Sequence, residues 1–305
     1  MTRHQPLPNA AIIGPGRIGQ AMGHLLSQSG ISVALIGGRR PAAVRRAVRF
    51  IGMGIPTSLS DPRISSVSVV LIATSDAAVA GVARQLARLG DGRDAWRGRV
   101  VLHICGSLPS AVLAPLRLRG AAVGSIHPFQ TVPSPQAGVR SLRGCYWAIE
   151  GDPPALRVAR GWIKRLEGIA FTIPAGAKPL YHLSAFMACP TVVTLMAQSA
   201  RLLTQAGVPE RISRPMLRQF VAETARNFAA LGPRQALTGP AVRGDWTTIR
   251  RHLAALRKSA PEFLPVYRSL LAAMLRLAGK GSAAPGGRKT KSKVKRQKAK
   301  VKRQN

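Results

Sequence analysis

At 305 residues and 46% hydrophobic, the chain is long enough for two domains with sizeable cores and too apolar for a disordered polymer. Its 46 Lys and Arg against 11 Asp and Glu give a formal charge of +35, a field that attracts phosphorylated cofactors, anionic substrates and, without specificity, nucleic acid. The three widely spaced cysteines, Cys105, Cys145 and Cys189, form no C-x-x-C pair, which argues against zinc or redox chemistry and suits a reducing compartment.

The N-terminal residues lack an apolar signal core, and no run of 18 apolar residues escapes a polar or charged break, so a cytoplasmic protein without a membrane segment is expected. The apolar run 10–13 leads into Gly14-Pro15-Gly16-Arg17-Ile18-Gly19, a G-x-G-x-x-G loop, and then into an amphipathic segment from Gln20. That order reads as strand, tight turn and helix. Gly14 permits the turn, Gly16 lets backbone approach a pyrophosphate, and Gly19 lets the helix pack closely on the strand. Amides at the helix N-terminus then face the phosphates. Residues 14 to 19 are therefore the expected cofactor loop; a glycine turn with no ligand is the competing reading, which the flanking strand and helix disfavour.

The next strand, 32–36, ends in Gly37-Gly38-Arg39-Arg40, where NAD-binding folds place an acid for the ribose hydroxyls. Asp61 is the first acid in the chain, so no register puts a carboxylate there. Arg39 and Arg40 instead suit a 2′-phosphate and predict NADP as the cofactor, against the alternative that both are simply solvated. Residues 67–73 read as a buried parallel strand, followed by Thr74-Ser75-Asp76 and a helix through Val79, Val82 and Leu86. Thr74 and Ser75 join the expected cofactor site. A strand at 100–103 ends in Cys105-Gly106-Ser107 with a helix from Pro109, and 121–126 leads to His127-Pro128.

Strands alternating with helices imply a Rossmann-type, doubly wound parallel α/β sheet, with ligands beyond the strand carboxyl ends. A strand at 145–150, a helix over 153–166 and a strand at 169–173 either extend this sheet or form a small appendage. From Ala175 the pattern becomes helical, with one stretch of about 30 residues, spanning roughly 45 Å, that ends at Gly207-Val208-Pro209 and is kinked by Pro190. Further helices are expected at 213–230, 247–256 and 261–277. Beyond Ala278 the sequence is Gly, Ser, Pro, Lys and Arg with little to bury, predicting disorder. The expected domains are 1–174, 175–278 and a basic tail, 279–305.

Lys178 and His182 lie four apart on one face at the start of the long helix, where a proton relay would sit, whereas Tyr181 is expected to point elsewhere. The competing reading makes Lys178 a solvated lysine and His182 a buried, hydrogen-bonded one. His127, held extended by Pro128, and Ser107, beside Gly106, face the same crevice; a structural histidine and a helix cap are their alternatives. In the turn-rich stretch 237–245, Arg243 suits a substrate carboxylate and Asp245 a substrate contact or a helix cap. An internal Arg-Asp pair is the other possibility. No metal constellation is found.

These residues resemble a family: bacterial Rossmann-like proteins whose helical C-terminal half is the domain of unknown function 2520. GPGRIG at 14–19, GGR at 37–39, SIHP at 125–128, KPLYH at 178–182 and LTGPAVRGD at 237–245 followed by His252 carry the likeness. The resemblance implies kinship with deazaflavin-dependent NADP oxidoreductases, pyrroline-5-carboxylate reductases and β-hydroxyacid dehydrogenases, and a helical domain like the C-terminal one of 6-phosphogluconate dehydrogenase. In the β-hydroxyacid dehydrogenases a lysine and, four residues later, an asparagine face the nicotinamide. Lys178 matches the lysine, and His182 stands in the second place. An asparagine usual further along this helix is replaced by Pro190.

An NADP-dependent oxidoreductase acting on a small anionic carbonyl or imine compound is thus expected, with Lys178 as proton donor, His182 and His127 assisting, and Arg243 holding substrate charge. A non-catalytic NADP sensor is the reading from another class. A homodimer through the long helix and weak, non-specific nucleic-acid contact through the tail are the remaining expected partnerships; the tail lacks aromatics for base stacking.

Overall fold

The computed structural model describes residues 9–280 and divides into two compact units, the first ending at Thr191 and the second beginning at Val192. The expected tail disorder concerns residues that, from 281 on, lie outside the described residues.

In the first unit, β1 (Ala10–Ile13), α1 (Arg17–Gln28), β2 (Val33–Gly37), α2 (Pro41–Ile51), β3 (Ile55–Thr57), β4 (Val69–Ile72), α3 (Asp76–Leu86) and β5 (Val100–His103) follow in order. A 3-10 turn at Ser110–Leu113 leads to α4 (Ala114–Arg117), β6 (Ala122–Pro128), α5 (Pro135–Ser141), β7 (Tyr146–Gly151), α6 (Pro153–Arg165), β8 (Ile169–Thr172) and α7 (Lys178–Ala188). The eight strands form one sheet in the order β3-β2-β1-β4-β5-β6-β7-β8. All neighbours run parallel except β6 and β7, which are antiparallel with His127 opposite Ala148. The last two strands therefore extend the sheet, settling the alternative that sequence left open.

Every residue of β1, β4 and β5 is buried, as strands covered on both faces must be. Alternation sends Ala10 and Ile12 to a core shared with α1, α2 and α6, and Ala11 and Ile13 to a second core with α3 and Trp96. Sheet order changes direction at β1 and β4, the switch point beside which ligands bind in such sheets. The short β3 carries Pro56 at the sheet edge, where a missing amide costs no ladder bond.

Two glycines set the turn after β1. Gly14 has φ +116°, and a Cβ there would sit 2.6 Å from the Ala73 carbonyl carbon. At Gly19 a Cβ would lie 2.1 Å from the Gly14 carbonyl oxygen. Gly16 is different: the nearest atom to a Cβ would be 4.0 Å away, so the fold itself does not demand glycine there.

The long helical stretch is two helices, α7 and then α8 (Pro190–Gln205), because Cys189 leaves helical geometry at φ −120°, ψ −79°. Proline disfavours helical backbone in the residue before it, so the break falls at Cys189. By length and composition Ala175–Gln205 is long and apolar enough to cross a membrane, with a window of mean hydropathy 1.4. Its first residue of α7, Lys178, is nevertheless buried in the first unit. The remaining helices are α9 (Glu210–Ala236, interrupted at Gly232), α10 (Pro240–Arg243), α11 (Trp246–Ser259) and α12 (Leu264–Leu277).

Packing of the turn predicts an asymmetry between glycines. Gly19→Ala should destabilise the first unit by about 3 kcal/mol, the upper end of overpacking costs, and Gly16→Ala by less than about 1 kcal/mol. Urea unfolding followed through the buried Trp96, Trp147 and Trp162 measures both.

Candidate active site

A cleft of about 540 Å³ opens where β1, β2 and β4 end, lined by Gly14, Pro15, Gly16, Arg39, Arg40, Thr74 and Ser75 among others. Seven of the ten expected cofactor residues thus share one surface. Of the other three, Gly19 packs beneath the loop, Ile18 packs against the core, and Arg17 donates to the Pro133 carbonyl at 3.3 Å. Several features leave this cleft short of partners. Helix α1 has no side-chain cap and no acid in its first turn, so its amides face outward unpaired by side chains. The Thr74 hydroxyl oxygen is covered and makes no hydrogen bond. Arg39 and Arg40 are exposed and form no salt bridge among the described residues. A pyrophosphate at the bare Gly16 and a further phosphate at the arginines would satisfy these donors.

A second cluster lies at the ends of β5 and β6, all within the first unit. Lys178 is 1% exposed, and its ammonium donates to the Cys105 carbonyl at 3.1 Å and to the Ser125 hydroxyl. Burial lowers its pKa, opposed by the charge of Glu150. Lys178 is therefore neither a solvated helix-start lysine nor a group on the cleft wall. Its face of α7 also carries Tyr181, which sequence reading had expected to point elsewhere. Instead its hydroxyl meets His127 Nδ1 at 2.9 Å. Residues three apart share a helix face almost as closely as residues four apart, which is the signal that was available.

His127 is kept neutral chiefly by burial, with the Lys178 charge adding, at a pKa of about 3. Burial likewise pushes the Tyr181 phenol well above its usual range, so it stays protonated and can donate to the imidazole. His182 packs edge-on to His127, ring centroids 6.0 Å apart, and makes no hydrogen bond among the described residues. Between the rings and β5 sits Gly106, where a Cβ would lie 2.6 Å from His127 Nε2 and 2.7 Å from His182 Cδ2. Only glycine fits there.

Ser107 does not cap a helix. Its hydroxyl donates to Asp76 Oδ2 at 2.8 Å and lies 3.2 Å from Cys105 Sγ. Burial works to raise the Asp76 pKa, but hydrogen bonds from Cys105 and Ser107 and the nearby His182 and His127 outweigh it, leaving the carboxyl below its ordinary range. His103, fully buried, accepts from the Cys105 amide at 3.2 Å and is held neutral by burial at about 4. Asp76, His103, Cys105, Ser125 and Tyr181 are thus members that sequence reading missed. A wall of His127, Phe129, Gln130, His182, Phe186 and Cys189 bounds a cavity of about 400 Å³ beside the rings.

Arg243 and Asp245 lie in the second unit. Asp245 accepts from the Thr248 amide at 3.0 Å and from its hydroxyl at 2.6 Å, the cap of α11 that the sequence had offered as an alternative. Arg243 is exposed and forms no salt bridge with Asp245 among the described residues.

The buried histidines set an acid response. His103 and His127 titrate near 4 and 3 when folded and near 6.5 when unfolded, so below pH 6.5 the unfolded chain takes up protons that the folded chain refuses. Stability should fall from pH 6.5 towards 4, by roughly 1.4 kcal/mol per pH unit for each histidine. Carboxylates held low, such as Asp76, lose their contribution only at more acidic pH. Urea midpoints measured between pH 7.5 and 4.5 should decline across this window.

Residues 3–128 match the Rossmann-like domain, and residues 145–274 match the domain of unknown function 2520. No curated protein matches the chain. Among solved structures, a candidate NADP oxidoreductase from Bacteroides fragilis is similar at TM-score 0.73 and 21% identity, covering 89% of this chain and 99% of that one. An imine reductase from Myxococcus stipitatus, solved with NADP+, is similar at 0.65 and 15%, over 90% and 93%. A pyrroline carboxylate reductase from Plasmodium falciparum, with NADP bound, is similar at 0.57 and 12%, over 91% and 100%. At such identities the likeness is one of fold. The chain thus joins a region similar to the Rossmann-like domain to one similar to the domain of unknown function 2520.

Proposed function

We propose that this protein is an NADP-dependent oxidoreductase that transfers a hydride between the nicotinamide and a small carbonyl or imine compound. The observation that carries the reading is the cleft at the ends of β1, β2 and β4, which joins bare helix-terminal amides to two unpaired arginines and contains no carboxylate to receive ribose hydroxyls. The solved structures above, named as NADP oxidoreductases and reductases, support it. Gly14 to Gly19 would hold the pyrophosphate, Arg39 and Arg40 the 2′-phosphate, and Thr74 and Ser75 the adjoining edge. When bound, the reduced nicotinamide supplies the hydride.

The chain's own contribution is to position and to balance charge. Tyr181 donating to His127 Nδ1 leaves the Nε2 proton of that ring on the side of Gly106 and His182. His182, with no hydrogen-bond partner among the described residues, is the ring free to exchange a proton with substrate. Lys178, enclosed beneath it, holds the Cys105 carbonyl and Ser125 in place and acts on the site through its charge. The exposed Phe220 and Phe228 of α9 support a two-copy assembly.

Calorimetry of the purified protein should show NADP bound roughly ten- to a hundredfold more tightly than NAD, the value of one charge-assisted contact. Arg39→Ala with Arg40→Ala should remove that preference while leaving NAD binding within about threefold. Loss of reduced-nicotinamide absorbance against a panel of keto acids and imines then tests turnover, which His182→Ala should slow by about a hundredfold or more. Saturable NADP binding with no turnover across the panel would favour a sensor.

A further inference from the structure

The charges around the two histidines have an unexpected sign. In a chain with 46 basic side chains, three of the seven acids in the first unit are answered by an arginine: Asp61 by Arg63, Asp94 by Arg97 and Asp152 by Arg117. The two carboxylates at the strand ends are not. Asp76 is bonded by the Ser107 hydroxyl, and Glu150 by the amide and hydroxyl of Ser110 at 2.7 and 2.6 Å; neither forms a salt bridge among the described residues.

The cavity beside the rings has no Lys or Arg in its wall. It offers instead the faces of Phe129 and Phe186, both partly exposed at 38% and 53%, together with the two imidazoles and Gln130. Asp76, exposed at the start of α3, is not part of this wall but bonds Ser107, the residue after the Gly106 on which both imidazoles lean, and its charge acts on both rings. Asp76 itself begins α3 directly after Ser75 of the cofactor cleft, so one carboxylate joins the end of that cleft's lining to Ser107. The lysine whose charge acts on His127, Lys178, is enclosed and already bonded to Cys105 and Ser125. Aromatic faces and an unpaired carboxylate recognise a cation and leave a carboxylate ligand without a partner.

We propose that the cavity bounded by His127, His182, Phe129 and Phe186 takes a cationic nitrogen compound, an iminium in the oxidised form and an ammonium in the reduced one, with Asp76 as the residue that selects its charge. This rests on the hydride-transfer reading and replaces the anionic substrate expected from the chain's overall charge. The chemistry balances with the groups present. Hydride from the reduced nicotinamide forms the new C–H bond, the C=N π pair moves onto nitrogen as its lone pair, and the cofactor leaves oxidised. The nitrogen already carries its proton during that step, so the enclosed Lys178 need not deliver one. The neutral amine then takes a proton from water, directly or through His182, to leave as the ammonium.

Calorimetry of the full chain saturated with NADP+ at pH 7.5 tests this with three single-ring probes: N-methylbenzylammonium, phenylacetate and neutral benzyl alcohol. A protein of charge +35 attracts the anion non-specifically, so preference for the cation can come only from the site. The ammonium should bind at least about tenfold more tightly than the alcohol, and phenylacetate more weakly than both. Asp76→Asn should lose about tenfold for the ammonium alone, Asp76→Glu should regain most of it, and NADP+ affinity should stay within about twofold in both variants. Equal or tighter binding of phenylacetate, no measurable ammonium binding, or an Asp76→Asn variant that binds ammonium as the wild type does would each overturn the proposal. The wild-type comparison stands even where a variant fails to fold. Failure to bind NADP+ would instead sink the cofactor reading, and the same three probes on the cofactor-free chain would still decide the charge preference.

Discussion

A backbone contact holds the whole arrangement in register: Gly19 rests on the Gly14 carbonyl, and Gly14 in turn rests on Ala73, at distances that no side chain would allow. This contact ties the first turn of α1 to the ends of β1 and β4, so the helix amides open onto the crevice between them. The Ala73 amide completes the join by donating to the Ile13 carbonyl at 2.7 Å. With that corner fixed, Thr74 and Ser75 of the cleft lead directly into Asp76, which bonds Ser107 beside the histidine cluster.

The two ends of this rim differ electrically. At the β2 end, arginines stand in solvent without acids, an arrangement suited to doubly charged phosphate. At the β5 and β6 end, a lysine is enclosed, the His103 and His127 imidazoles are neutral, and two carboxylates are held by hydroxyls and amides instead of by arginines. Burial makes the Lys178 charge consequential, because a charge withdrawn from water interacts more strongly with what remains near it. A net positive chain can therefore carry a locally cation-seeking pocket.

Much of the fold was legible because its strands are buried on both faces and read as unbroken apolar runs, from 10–13 to 100–103. The three residues of β3 gave too short a signal, and their proline argued against a strand. The last two strands were legible as strands but not in their placement, since nothing local distinguishes an antiparallel return beside β6 from an appendage. The glycine turn after β1 and the two arginines after β2, which line one cleft, were visible in the sequence because backbone geometry and a missing acid are properties of sequence position. The chemistry of the histidine cluster was only half visible. Lys178, His182, His127 and Ser107 were identified, but Asp76, His103 and Ser125 lie on three different elements that only the sheet brings together. Tyr181 was set aside although its spacing from Lys178 places it on the same helical stripe. The break before Pro190 was expected as a kink in one helix and falls one residue earlier, at Cys189.

The central claim is that the crevice holds a 2′-phosphorylated dinucleotide through Gly16 and the Arg39–Arg40 pair. A titration with adenosine 2′,5′-bisphosphate and with adenosine 5′-monophosphate tests it most directly, because the two differ only in the group that the arginines are said to hold. The account predicts that the bisphosphate binds at least about tenfold more tightly, by an advantage that shrinks as salt is raised. Equal affinities, or no binding of either by folded protein, would contradict it.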